Sequence, residues 1–274
     1  MLSLPRAAIR VRIEPLLAGD RSLDRPKGDD GLFGPRSAAW AVHGDVTAML
    51  IGGVSSLLLQ MLHPAALAGV LDHSDFRRDM RGRLLRTARF VGITTYGSTA
   101  AAEAAIARVR RIHAGVNGTV PGGAAYSAND PDLLGWVHVA ETTSFLAAYL
   151  RYRDPWFPAR RQDAYHAEMA ELVRRLGARD VPATRRAAAA YMRNARAELR
   201  ADARTRDVAR LILTQAAPDA VAVPFQRLML EAGVDLLPRW ARAMHGLDRP
   251  VPVRVATRTG AAMAGRAVWW AMTT

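Results

Sequence analysis

The chain contains no cysteine. This excludes disulfides, thiolate nucleophiles and cysteine-ligated metals. Lysine is almost as scarce: Lys27 is the only one, so nearly all of the 38 basic residues are arginine. Against 25 acidic residues this leaves a formal net charge of +13. The arginines are spread along the whole chain and form no basic block, and no helix-turn-helix placement is evident, so no nucleic-acid partner is expected. Alternating β-branched runs, the mark of strands, are nearly absent. There is no HExxH, no His-x-His pair, no phosphate-binding glycine loop and no GxSxG elbow. A locally spaced zinc or nonhaem iron site is therefore unsupported, as are nucleotide and serine-hydrolase chemistry. The N-terminal "MLSLPRAAIRVRIEPLLAGD" lacks the uninterrupted apolar core of a secretory signal, and a cytoplasmic location is expected.

What remains is helix. Half of the residues are hydrophobic, ample for one large core in 274 residues. Residues 1–37 are rich in turn formers and read as an irregular arm; 38–274 read as a single all-α domain. The most apolar stretch, "VTAMLIGGVSSLLLQML" at 46–62, reads as a buried central helix within a longer element, 38–62, bent near Gly52-Gly53. It is short for a membrane span, and no stable membrane insertion is expected. A short helix opens at His63-Pro64, and another spans about 75–92. Ser98 and Thr99 lead into a helix over about 99–117. Asp130, Pro131 and Asp132 are a strong start for a helix running to about 152.

Seven histidines are the main carriers of chemistry. In "RVRRIHAGVNG", Ala102, Ile106, Val109, His113 and Val116 follow the spacing of a buried helical stripe. An imidazole on that stripe is either a core histidine bonded to an acceptor or an axial ligand to haem iron, a role one side chain can fill alone. Arg110, one turn earlier, could pair with a haem propionate. In "RGRLLRTARF", Arg83 and Thr87 share a helix face with Arg86 beside it. They form either an exposed basic helix or a polar patch above a cofactor. His138 lies along one side of its helix with Leu134, Glu141 and Phe145, where Glu141 or Thr142 could hold the ring. His63, at the break before Pro64, either caps a helix or projects into a cavity.

These pieces occur in a recognisable order. "HPAALAGVLDHSDF", "RGRLLRTARFVGITTYGS", "RVRRIHAGVNG" and "YSANDPDLLGWVHVAETTSF", covering about residues 40–150, resemble the haem oxygenase family that includes latex clearing protein (rubber oxygenase) and the MpaB-type oxygenases. The resemblance implies a globin-like helical core binding haem b, with His113 as the iron ligand and Arg110 as the arginine of the family's Arg-x-x-His motif. It places Arg83, Arg86 and Thr87 on the distal side and His138 close to the haem without ligating it. Arg86 stands where rubber oxygenases carry a lysine. Arginine stays protonated, so no lysine-like distal ligand is expected. The family's upstream glutamate base has no counterpart, since no glutamate lies between Glu14 and Glu103. His63 is in about the right region to replace it as proton acceptor or distal ligand. The implied function is oxygenation, with dioxygen, of a small apolar, isoprenoid-like alkene. The alternative is a haem sensor or carrier without catalysis.

Overall fold

A computed structural model describes Arg6 and residues 25–273. The N-terminal arm expected over 1–37 falls largely outside the described residues; 25–36 are turns and irregular chain. Twelve α-helices follow among the described residues. They are α1 (Ala38–His43), α2 (Val46–Gln60), α3 (Pro64–His73), α4 (Met80–Tyr96), α5 (Thr99–Ala114), α6 (Pro131–Tyr152), α7 (Ala159–Leu176), α8 (Arg185–Asn194), α9 (Ala203–Leu213), α10 (Val223–Leu236), α11 (Arg239–His245) and α12 (Val251–Met272). The domain is all-α apart from one small hairpin, β1 (Asn117–Thr119) and β2 (Ala125–Ser127), paired antiparallel between α5 and α6.

Local chemistry sets most helix starts. Ser37, Asp45, Asp79, Ser98 and Asp130 each accept a backbone N–H of the first turn, satisfying donors that the helix itself leaves free. The element read as one helix over 38–62 is divided at Gly44-Asp45, not at Gly52-Gly53. Asp45 explains the division, because its carboxylate accepts Ala48 N–H at 2.7 Å and starts a new helix. Gly52 serves packing instead: a Cβ there would sit 2.8 Å from Phe145 Cδ1 and 3.1 Å from Ser144 O. The hairpin was not legible because its strands have three residues each, too few to show alternation. Gly122 and Gly123, both at positive φ, allow its tight return.

Helix α2 is the axis of the core, lying along α6 and α10. Its first half packs Ile51 with Phe145, Tyr149 and Met169. Its second half packs Leu58 and Leu59 with Trp136, Ile212 and Leu237. Full burial of each such side chain contributes about 1.5–3 kcal/mol. Among the described residues no single helix is long and apolar enough to cross a membrane; α2 and α3 together are, but they meet at 104° and carry much of the core.

Candidate functional site

The end of α3 organises the region where the sequence placed its candidates. Helices α4 and α5 form a helical pair joined through Gly97 and Ser98. Arg83 Nη1, from the first turn of α4, donates to Ser74 Oγ at 2.7 Å, and its guanidinium lies 5.7 Å from the Phe76 ring. His73 Nε2 bonds Asn117 O at 2.9 Å, just beyond the end of α5. The C-terminus of α3 thus ties down both the α4 turn that carries Arg83 and the chain four residues after His113.

His113 occupies the last turn of α5, part-buried. Its Nδ1 is shut off from solvent with no hydrogen-bond partner. Burial lowers its pKa below the ordinary histidine value, so the ring is neutral at pH 7. An ordinary core histidine would spend its ring nitrogens on neighbouring acceptors or donors. Arg110 is exposed and lines a shallow cleft of about 480 Å3 with Glu103 and Arg175.

The distal candidates differ among themselves. Arg83 is half-buried, and burial, then the neighbouring Arg86 charge, lowers its pKa. Arg86 is exposed and pairs with Asp79, the α4 cap, at 3.1 Å. Thr87 is exposed and donates to Arg83 O at 3.2 Å. His63 is at the opposite end of α3, about 15 Å away along a ten-residue helix. There its Nδ1 accepts Ala65 N–H at 3.2 Å, and Nε2 lies 3.5 Å from Glu198. Burial lowers the pKa of this ring, while Glu198 opposes the shift.

His138 is buried in α6, and its pKa falls to about 3 through burial, with His166 and Arg174 adding to it. Neither Glu141 nor Thr142 holds its ring: Thr142 Oγ1 donates to the His138 carbonyl at 3.0 Å, and Glu141 makes no hydrogen bond among the described residues. Burial alone raises the Glu141 carboxyl to about 7. The last turn of α7 is tied to α5, since Arg175 bonds Glu103 of α5.

Sequence reading passed over a polar chain behind these residues. His43 Nδ1 lies 2.7 Å from Thr95 Oγ1 of α4, and its Nε2 lies 2.9 Å from Tyr165 Oη of α7. His166 packs edge-on against Tyr165 with centroids 6.0 Å apart. Thr95, His43, Tyr165 and His166 therefore link α4, through α1 and α7, to the surroundings of His138. The available signal was Tyr165, Met169 and Leu172 at helical spacing, a core stripe that starts on a residue with a hydroxyl.

Residues 40–271 match the family described as ER-bound oxygenase mpaB/B'/Rubber oxygenase, catalytic domain. The chain belongs to this family. It carries an oxygenase catalytic domain over almost all of the described helices. No curated protein and no solved structure is significantly similar to it. Among the described residues no cluster of three or more histidine and carboxylate side chains is placed to hold a metal ion.

Proposed function

We propose that this oxygenase is haem b-dependent and acts on a small apolar alkene, isoprenoid-like in being an unsaturated hydrocarbon chain. The observation that carries the reading is the neutral, internally unbonded His113 imidazole in the last turn of α5. A porphyrin iron needs one such nitrogen from the protein, so the residue present fits the group. When bound, haem supplies the activation of dioxygen.

The chain's own residues define the surroundings. Arg83, anchored by Ser74 and kept out of bulk water, presents a fixed positive charge to reacting oxygen or to a carboxylate. Arg86 remains a cation and a hydrogen-bond donor and supplies no ligand nitrogen. His138 stays neutral and Glu141 holds its proton up to about pH 7, so both present uncharged groups to an apolar substrate. Glu141, which holds a proton up to about pH 7, is a candidate to exchange one, whereas His63 caps α3 and lies beside Glu198.

The test is an absorption spectrum of the purified chain reconstituted with haem, beside His113→Ala. A Soret band in the parent and its loss or shift in the variant are expected. An unchanged band in His113→Ala overturns the ligand assignment. Dioxygen uptake that depends on an added alkene supports the oxygenase reading; haem binding without uptake across a panel of unsaturated hydrocarbons overturns the substrate class.

A further inference from the structure

The outer face of α12 is apolar and free of negative charge. Val251, Val255, Thr259, Met263, Arg266 and Trp270 follow one another at steps of three or four residues and all are exposed. Val251 is 68% exposed, Met263 50% and Trp270 52%, and Trp269 beside it is 45% exposed. The opposite face carries the packing: Ala261, Gly265, Val268 and Ala271 are buried, with Gly265 against Thr47. The 22-residue helix has three arginines and no acidic residue. The tryptophans sit at its C-terminal end under guanidinium groups, Arg153 being 4.5 Å from the Trp269 ring and Arg6 5.1 Å from Trp270.

Beside this stripe is a cationic pocket of about 460 Å3. Arg151 and Tyr152 of α6 form one wall; Arg258, Thr259 and Arg266 of α12 form the other, and no carboxylate lines it. Asp235, behind the wall, is a single carboxylate shared by Arg151 at 3.2 Å, Arg254 at 2.5 Å and Arg258 at 2.6 Å. Two positive charges of that group remain uncompensated, and Arg266 has no ion pair among the described residues. The Tyr152 hydroxyl, on a side chain nine-tenths buried, is enclosed beside the Arg151 guanidinium. A pocket with excess guanidinium charge suits a phosphate. Met263 belongs to both the pocket and the apolar stripe, so a ligand with a phosphate head and an adjoining hydrocarbon part meets both surfaces.

We propose that α12 is a peripheral docking surface for an anionic phospholipid bilayer, with one lipid phosphate held between Arg151, Arg258 and Arg266, and Met263, Trp269 and Trp270 entering the interface. Charge complementarity selects this occupant. A second copy of the chain would bring an equally cationic face against this one, whereas an anionic membrane supplies the missing negative charge. The tryptophan and arginine content is that of a helix lying in the interface plane, and three arginines on α12 are inconsistent with spanning.

The experiment is sedimentation of the full chain with phosphatidylglycerol-containing vesicles and with pure phosphatidylcholine vesicles, with tryptophan emission recorded. Binding to the anionic vesicles with a blue shift is expected. Each arginine near the surface is worth about fivefold in affinity, so Arg266→Glu is expected to weaken binding by about tenfold or more. Trp269→Ser/Trp270→Ser is expected to remove the blue shift. Thermal unfolding of each variant checks that it remains folded. Absence of vesicle binding, equal binding to both compositions, or stabilisation by inorganic phosphate with no vesicle binding overturns the proposal. So does a concentration-dependent dimer that Trp270→Ser dissociates in the absence of vesicle binding.

Discussion

His43 Nε2 lies 2.9 Å from the hydroxyl of Tyr165, and both side chains are shut inside the domain. The imidazole is satisfied on both nitrogens, by Tyr165 and by Thr95, at sequence separations of 122 and 52 residues. Tyr165→Phe keeps the ring's volume and strands one imidazole nitrogen. A loss of about 1–3 kcal/mol is expected in chemical denaturation. A loss below a few tenths of a kcal/mol would show that the bond contributes nothing net.

His113 lacks such satisfaction, and its replacement is therefore expected to separate stability from cofactor binding. In the cofactor-free protein His113→Ala is expected to cost no more than about 1 kcal/mol, since the imidazole is only part-buried and forms no hydrogen bond. Denaturation midpoints of apo parent and variant measure this. A cost above about 3 kcal/mol would mean that the side chain is a structural element of α5.

Acid sensitivity follows from the buried titratable groups. Burial lowers His43 and His138 to about 3 and His166 to about 4, so each contributes stability that is present above pH 6.5 and lost as pH falls towards those values. Burial raises Glu141 to about 7, and its contribution runs the other way, lost as pH rises from 4.5 through 7. Between pH 4.5 and 6.5 the three histidines outweigh the one carboxyl, and stability is expected to rise with pH. Glu141→Gln removes the opposing slope and is expected to steepen that rise by up to about 1.4 kcal/mol per pH unit. Denaturation curves at several pH values decide it; an unchanged slope places the carboxyl in ordinary solvent.

Asp235 supports a different region. Its side chain is 3% exposed, and although burial opposes ionisation, the hydrogen bonds from Arg258 and Arg254 hold its pKa below the ordinary value. Asp235→Ala leaves three guanidinium groups facing one another. A destabilisation of about 3 kcal/mol is expected, less than for a fully buried pair because the arginines are partly exposed. High salt is expected to recover part of it by screening the repulsion.

Gly52→Ala tests the central helix contact. The added Cβ meets Phe145 Cα at 2.9 Å as well as its ring, so the backbones of α2 and α6 must separate. The expected loss is about 1–3 kcal/mol, while Gly53→Ala, with its nearest neighbour at 3.8 Å, is expected to be close to neutral or stabilising. Thermal unfolding of the two variants makes the comparison.

The helical class, the starts at Ser98 and Asp130, and the buried nature of 46–62 were all legible from the chain, because capping and apolar spacing act over a few residues. The order of motifs was also enough to point to the oxygenase family. Which histidines have partners was not legible. His113, His138 and His63 look alike as residues on or beside helices, yet one has an unbonded ring nitrogen, one is enclosed beside His166, and one caps α3. Partners such as Tyr165 for His43 come from helices more than a hundred residues away, and no local pattern encodes them. The arginine count likewise fixed the charge but not its placement: packing α12 against α2 and α10 is what turned Val255, Met263 and Trp270 outward and gathered three arginines on Asp235. Local sequence determines where helices form; only their packing decides which of their polar groups are satisfied and which are left to act.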